Sequence, residues 1–127
     1  MVYKILVLLF LFLFSSVSIA TPPVFTNSLN KSKTLAAELQ RNVIVIFGSE
    51  NCVYCQNLKQ EINSGNLDHL LEDKIVCYID LNDNPTYKQE YKINIIPDSR
   101  FMVNNNQKSK IVGYELNKYS TWLNSLK

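Results

Sequence analysis

No block of basic residues and no basic helix occurs in this chain, so it lacks the electrostatic footprint of a nucleic-acid binder. Lysine and glutamate are scattered as on an ordinary solvated surface, and 13 basic against 11 acidic residues point to no charged partner. Internal repeats, low-complexity linkers and a second domain are also missing. Histidine occurs once, at His69, in a short amphipathic stretch that reads as surface or half-buried rather than catalytic. Cysteine is scarce: three cannot all pair within one chain. A domain of about 107 residues buries a core without structural disulfides, so these cysteines need an explanation other than stapling.

The longest hydrophobic run lies at the start. Lys4 gives a thin positive region, Ile5 to Phe14 an apolar core, and Ser18-Ile19-Ala20 a small-residue cleavage site. Residues 1–20 therefore read as a signal peptide, and the mature domain as 21–127. The other reading is a retained membrane anchor, because the apolar stretch runs loosely to Ala20, the minimum length for a span. Ser15, Ser16 and Ser18 interrupt it and favour cleavage. No cysteine stands near the cleavage site, so a bacterial lipid anchor is not suggested. Export is the expectation, and a periplasm the preferred compartment, because Ser125-Leu126-Lys127 is no endoplasmic-reticulum retention signal.

Chemistry concentrates at Cys52-Val53-Tyr54-Cys55, directly after the apolar run Val43 to Phe47 and the loop Gly48-Ser49-Glu50-Asn51. The run reads as a buried strand and the cysteines as the opening of a helix. A helix starting near Asn51 puts Cys52 in its first turn, where unpaired N–H groups and the macrodipole favour a thiolate. Cys55, three residues on, shares that face. Cys52 is thus the expected nucleophile and Cys55 the expected resolving thiol of a redox-active disulfide. Glu50 would raise the Cys52 pKa by like-charge repulsion. Tyr54 is a candidate for the substrate surface.

The remaining segments alternate as in an α/β domain. Thr21 to Asn27 reads as an extended arm and Ser28 to Arg41 as a helix with Leu29, Leu35, Ala36 and Leu39 inward. The cysteine helix runs to Ile62 or Asn63, with Gly65 marking its end. A helical turn, Leu67 to Glu72, leads to a strand, Lys74 to Asp80, and Pro85 opens a helix carrying Tyr87, Tyr91 and Ile93. Phe101 to Val103 and Lys108 to Val112 form a hairpin around Asn104-Asn105-Asn106. A last helix from about Asn117 spaces Tyr119, Trp122, Leu123 and Leu126 on one side, most simply as core. Cys77, inside a strand, reads as a small buried hydrophobe. A metal site from Cys52, Cys55, His69 and Cys77 is disfavoured because the second pair is spaced too widely, on a helix and a strand.

The strand Val43 to Phe47, the cysteine motif, Asp80-Leu81-Asn82-Asp83-Asn84-Pro85, Ile96-Pro97, Val112-Gly113 and the terminal amphipathic helix resemble the thioredoxin superfamily in order and spacing. The resemblance implies a thioredoxin fold, a central mixed β-sheet flanked by helices. It also implies that Pro97 is cis and faces the cysteines, with Ile96, Pro97 and, as a third candidate, Asp98 forming a platform for an extended substrate. Three positions depart from thioredoxin. Its usual Trp-Cys-Gly-Pro-Cys is here Asn51-Cys52-Val53-Tyr54-Cys55, whose tyrosine looks more like glutaredoxins and periplasmic disulfide isomerases. Its buried acidic residue six positions before the first cysteine is here Ile46, so proton transfer at Cys55 needs water, Glu50 or another group. Its lysine near the site is replaced by Tyr78.

The sequence thus points to an exported thiol-disulfide oxidoreductase that exchanges disulfides with protein disulfide or dithiol substrates, needs no cofactor, and works as a monomer with a membrane redox partner. The spacing shared with thioredoxin favours the reductase direction. Two other readings remain: a metallochaperone holding copper(I) between Cys52 and Cys55, and a noncatalytic module binding peptides at the Pro97 edge.

Overall fold

The structure, a computed structural model, describes residues 21–126. The expected signal peptide at 1–20 lies outside the described residues. Ten elements follow one another: β1 (Val24–Thr26), α1 (Leu29–Leu39), β2 (Asn42–Gly48), α2 (Val53–Asn63), α3 (Asp68–Leu71), β3 (Lys74–Asp80), α4 (Thr86–Glu90), β4 (Asp98–Val103), β5 (Asn106–Val112) and α5 (Leu116–Ser125). The strands make one mixed sheet in the order β1-β3-β2-β4-β5. β1, β3 and β2 run parallel, whereas β4 and β5 are antiparallel to their neighbours. This is a thioredoxin fold.

β2 is apolar throughout because both faces of the sheet are covered. Val43, Val45 and Phe47 join Leu29, Ile75, Cys77, Ile79 and Ile93 on one face, under α1. Ile44 and Ile46 join Leu58, Ile62, Val76, Phe101, Tyr119 and Trp122 on the other, under α2 and α5. The aromatic residues of α5 satisfy their polar tips inside: the Tyr119 hydroxyl meets Ser99 Oγ at 2.8 Å and Trp122 Nε1–H donates to Ser109 Oγ at 2.8 Å.

Several boundaries differ from the sequence expectation. The arm contains a strand, β1, because Val24 to Thr26 pair with Ile75 to Cys77 of β3. Ser28 is the N-cap of α1, accepting from the Lys31 N–H, and the helix stops at Leu39 because Gln40 turns left-handed at φ 53°. Leu39, expected in the core, is therefore exposed. The hairpin strands are longer than their apolar ends suggest: β4 starts at Asp98 and β5 at Asn106, joined across Asn104 and Asn105 at φ 50° and 64°. Asn106 belongs to the strand, not the turn.

Candidate redox site

The site forms where β2 ends and α2 begins. Cys52 is the N-cap of α2, with extended φ −97° and ψ 111°, rather than a residue of its first turn. The capping role places its Sγ where the Cys55 N–H donates to it at 3.2 Å. The loop is tied off by the Cys52 N–H to Ser49 carbonyl bond at 3.3 Å and by Gln56 Nε2 donating to the same oxygen at 3.1 Å. Cys52 and Cys55 are joined as a disulfide, their Cα atoms 5.1 Å apart.

The two sulfurs have unequal surroundings. Cys52 is half-buried, whereas Cys55 is fully buried at 0% exposure. Cys52 Sγ also lies 3.7 Å from the Ile96 carbonyl oxygen. A disulfide sulfur has no proton to donate, so that contact becomes a hydrogen bond only when Cys52 is a thiol. The Ile96–Pro97 peptide bond is cis, as the resemblance implies.

The structure leaves Cys52, Tyr54 and Ile96 reachable from solvent with Cys55 buried behind Cys52, but treats the platform candidates unequally. Pro97 is fully buried and its carbonyl accepts from the Gly113 N–H at 2.7 Å. Asp98 is buried too, its carboxylate bound to Arg100, so its side chain does not reach the surface. The exposed apolar residues flanking the pair are Val53 at 69%, Tyr54 at 63% and Ile95 at 62%. Ile95 escaped the sequence reading; its position directly before the Ile96-Pro97 pair was the available signal. Glu50 is exposed.

Cys77 and His69 are not drawn into the site. Cys77 is buried on the sheet face under α1, opposite α2, and burial pushes its thiol above the usual 9.0, an effect Ser32 partly offsets. His69 is exposed on α3. Among the described residues no group of three metal-ligating side chains converges, and no helix is long and apolar enough to cross a membrane.

Behind the pair, Tyr78 and Ile46 occupy neighbouring strands at paired positions. Lys59, one helical turn beyond Cys55, holds its Nζ 4.9 Å from the centre of the Tyr78 ring. Its i, i+4 spacing from Cys55 puts it on the same face of α2.

Residues 21–125 match the family model described as Thioredoxin. The chain belongs to the thioredoxin family. None of the curated protein sequences compared with it matches. Similar solved structures include a mutant thioredoxin from Halobacterium salinarum NRC-1, at 19% identity and a TM-score of 0.64, covering 85% of this chain and 95% of that one. The germline-specific thioredoxin Deadhead from Drosophila melanogaster aligns at 15% identity and TM-score 0.66, covering 82% and 99%. Trichomonas vaginalis thioredoxin aligns at 22% and 0.62, covering 82% and 96%. Identities this low speak for the thioredoxin fold alone. That fold with its Cys52–Cys55 pair supports thiol-disulfide redox activity in general.

Proposed function

We propose that this protein is an exported thiol-disulfide oxidoreductase acting on protein substrates, with Cys52 as nucleophile and Cys55 as resolving thiol. The observation that carries this is the asymmetry of the pair, one sulfur half-exposed at a helix cap and the other fully buried. An incoming disulfide can meet Cys52 but not Cys55, and a helix N-terminus stabilises the attacking thiolate. In the reducing direction the Cys52 thiolate attacks one substrate sulfur, a Cys52–substrate bond forms, and the other substrate sulfur leaves with the electron pair. Cys55, as thiolate, then attacks Cys52 Sγ, forming the internal disulfide and releasing the second substrate sulfur.

Val53, Tyr54 and Ile95 give that surface an apolar rim, and Ile96 lies beside the reacting sulfur. These residues suit an extended protein segment better than a small polar molecule. Pro97 contributes from beneath as backbone support. The reducing direction rests on the landmark spacing shared with thioredoxin. It needs electrons from outside the domain, for which a membrane donor facing a periplasm is the fitting source. The protein acts as a monomer.

The first test is the reduction potential of the pair in the mature protein carrying Cys77→Ala, by equilibration with glutathione or dithiothreitol. A value near about −270 mV supports a reductase; one near about −120 to −180 mV points to oxidation or isomerisation. Absence of a reversible disulfide would sink the redox reading, and stoichiometric copper(I) binding without exchange would replace it with the metallochaperone. Role assignment is checked separately: Cys52→Ser abolishes exchange, whereas Cys55→Ser accumulates mixed disulfides with a disulfide-bonded protein substrate. Equal accumulation by both variants would mean that the roles are wrong. Peptide binding that survives the double replacement, with no exchange by the parent, would favour the noncatalytic module.

A further inference from the structure

The hydroxyl of Tyr78 is the single buried side-chain polar atom without a hydrogen-bond partner among the described residues. A phenol in that position costs about 1–3 kcal/mol of lost hydration, so a native chain retaining one calls for an explanation. Its position supplies one. A Cβ placed on Gly48 would collide with the Tyr78 hydroxyl, would lie 2.9 Å from Tyr78 Cζ, and would lie 3.2 Å from Cys55 Cβ. Gly48 therefore opens a space that the phenol fills from β3 and the resolving cysteine borders from α2. The orphaned donor stands beside Cys55 while that sulfur is turned into the disulfide. Opening the disulfide frees Cys55 to change its side-chain rotamer.

We infer that the Tyr78 hydroxyl is the hydrogen-bond donor to the Cys55 sulfur whenever the disulfide is open, holding Cys55 as a thiolate while it forms or leaves. This rests on the thiol-disulfide reading above and deepens it. As Cys55 resolves a mixed disulfide, its thiol gives its proton to water and the sulfur enters as an anion stabilised by the phenol O–H. The Cys55–Cys52 bond forms, the Cys52–substrate bond breaks, and the substrate sulfur leaves with the electron pair and takes a proton from water. In reverse, a substrate thiolate attacks Cys52 Sγ and the electron pair of the broken disulfide passes to Cys55, where the same O–H meets it. Tyr78 keeps its proton in both directions.

The surroundings suit a donor. Burial, and next the Asp80 carboxylate, raise the phenol above its usual 10.0, so it stays protonated at physiological pH. The charged groups around the ring are Lys59 of α2, 4.9 Å over its face, Asp80 on its own strand, and Lys31 of α1, which lines a cleft of about 340 Å³ shared with Tyr78, Lys59 and Ile46. The apolar Ile46 packs on that same sheet face and offers no competing proton acceptor.

The test compares Tyr78 with Phe, which keeps the ring and its Lys59 contact, after matched thermal melts show both proteins folded. In a Cys52→Ala, Cys77→Ala background the Cβ chemical shift of the remaining cysteine reports Cys55 ionisation directly. Tyr78→Phe is expected to raise that pKa by about one unit, a tenfold loss of thiolate. With the pair intact and Cys77→Ala, and at a pH above the Cys55 titration of both proteins, it is expected to shift the glutathione equilibrium about tenfold toward the disulfide, about 30 mV more reducing. Site-specific replacement of Tyr78 by a ring-fluorinated tyrosine, a stronger donor, moves the Cys55 titration the opposite way, which a merely structural role would not do. A Cys55 titration unchanged within about twofold in both variants overturns the inference. Failure of the parent to exchange with glutathione would sink the redox reading instead, and the Cys55 titration would still decide the role of Tyr78.

Discussion

At the scale of single residues, Arg100 is a charged side chain buried in the middle of β4. Its Nε donates to Asp98 Oδ1 at 2.9 Å, one Nη to the Tyr91 carbonyl at 2.6 Å and the other to Gln107 Oε1 at 3.2 Å. The guanidinium also lies 5.6 Å from the Phe47 ring and 5.5 Å from Tyr91. It thereby links the segment after α4 to the strand that follows Pro97. Removing one member of a buried pair strands the other charge, whereas replacing both with apolar groups does not. Arg100→Met should therefore lower unfolding free energy by about 3–5 kcal/mol, and Asp98→Leu added to it should recover much of the loss, as read by urea unfolding. Equal stability of the single variant and the parent would show that the pair contributes little. Nothing in Ile96-Pro97-Asp98-Ser99-Arg100 advertised this pair: polar residues after a proline read as a loop, and only the register of β4 against β2 and β5 reveals their burial.

At the scale of elements, the sequence was most legible where hydrophobic periodicity and local chemistry agreed. The apolar run of β2, the cysteine helix, β3 and the α5 pattern of Tyr119, Trp122 and Leu123 were all readable, because each buries a face defined by its own spacing. β1 was not, since three residues after a pair of prolines become a strand only by pairing with β3. The cysteine pair was legible from its spacing; its neighbours Tyr78 and Ile96 were legible only through the family resemblance, and Ile95 was missed, because tertiary packing rather than local spacing brings them to the pair. Local caps are a separate matter. Glu115, the N-cap of α5, accepts from the N–H groups of Asn117 at 3.1 Å and Lys118 at 3.0 Å. Glu115→Ala should cost about 1 kcal/mol, lowering the urea midpoint without changing the slope. A changed slope would mean instead that α5 had come away from the sheet, exposing Tyr119 and Trp122 in the native state.

At the scale of the whole molecule, burying neutral acids couples the fold to alkaline pH. Tyr119 is fully buried, and burial raises its phenol far above the usual 10.0, an effect that the Ser99 hydrogen bond only partly offsets. Tyr78 is raised by burial and by Asp80, and Cys77 chiefly by burial. Each group therefore keeps its proton in the folded chain at a pH where the unfolded chain has released it. The resulting stability is fully present below the unfolded pKa and is lost as pH rises toward the folded one. With Cys77→Ala, which also removes the thiolate that could reshuffle the disulfide on unfolding, the tyrosines set the window. Stability should hold to about pH 9 and fall above about pH 10, by up to about 1.4 kcal/mol per pH unit for each proton that differs between the states. Urea midpoints at rising pH measure this, and Tyr119→Phe should flatten the decline while lowering stability at neutral pH by leaving the Ser99 hydroxyl without its partner. A midpoint independent of pH through that window would mean that the buried phenols ionise without unfolding the sheet. The Tyr78 and Tyr119 hydroxyls differ in what surrounds them: Ser99 satisfies the one in the core, whereas the one bordering Gly48 and Cys55 has no hydrogen-bond partner.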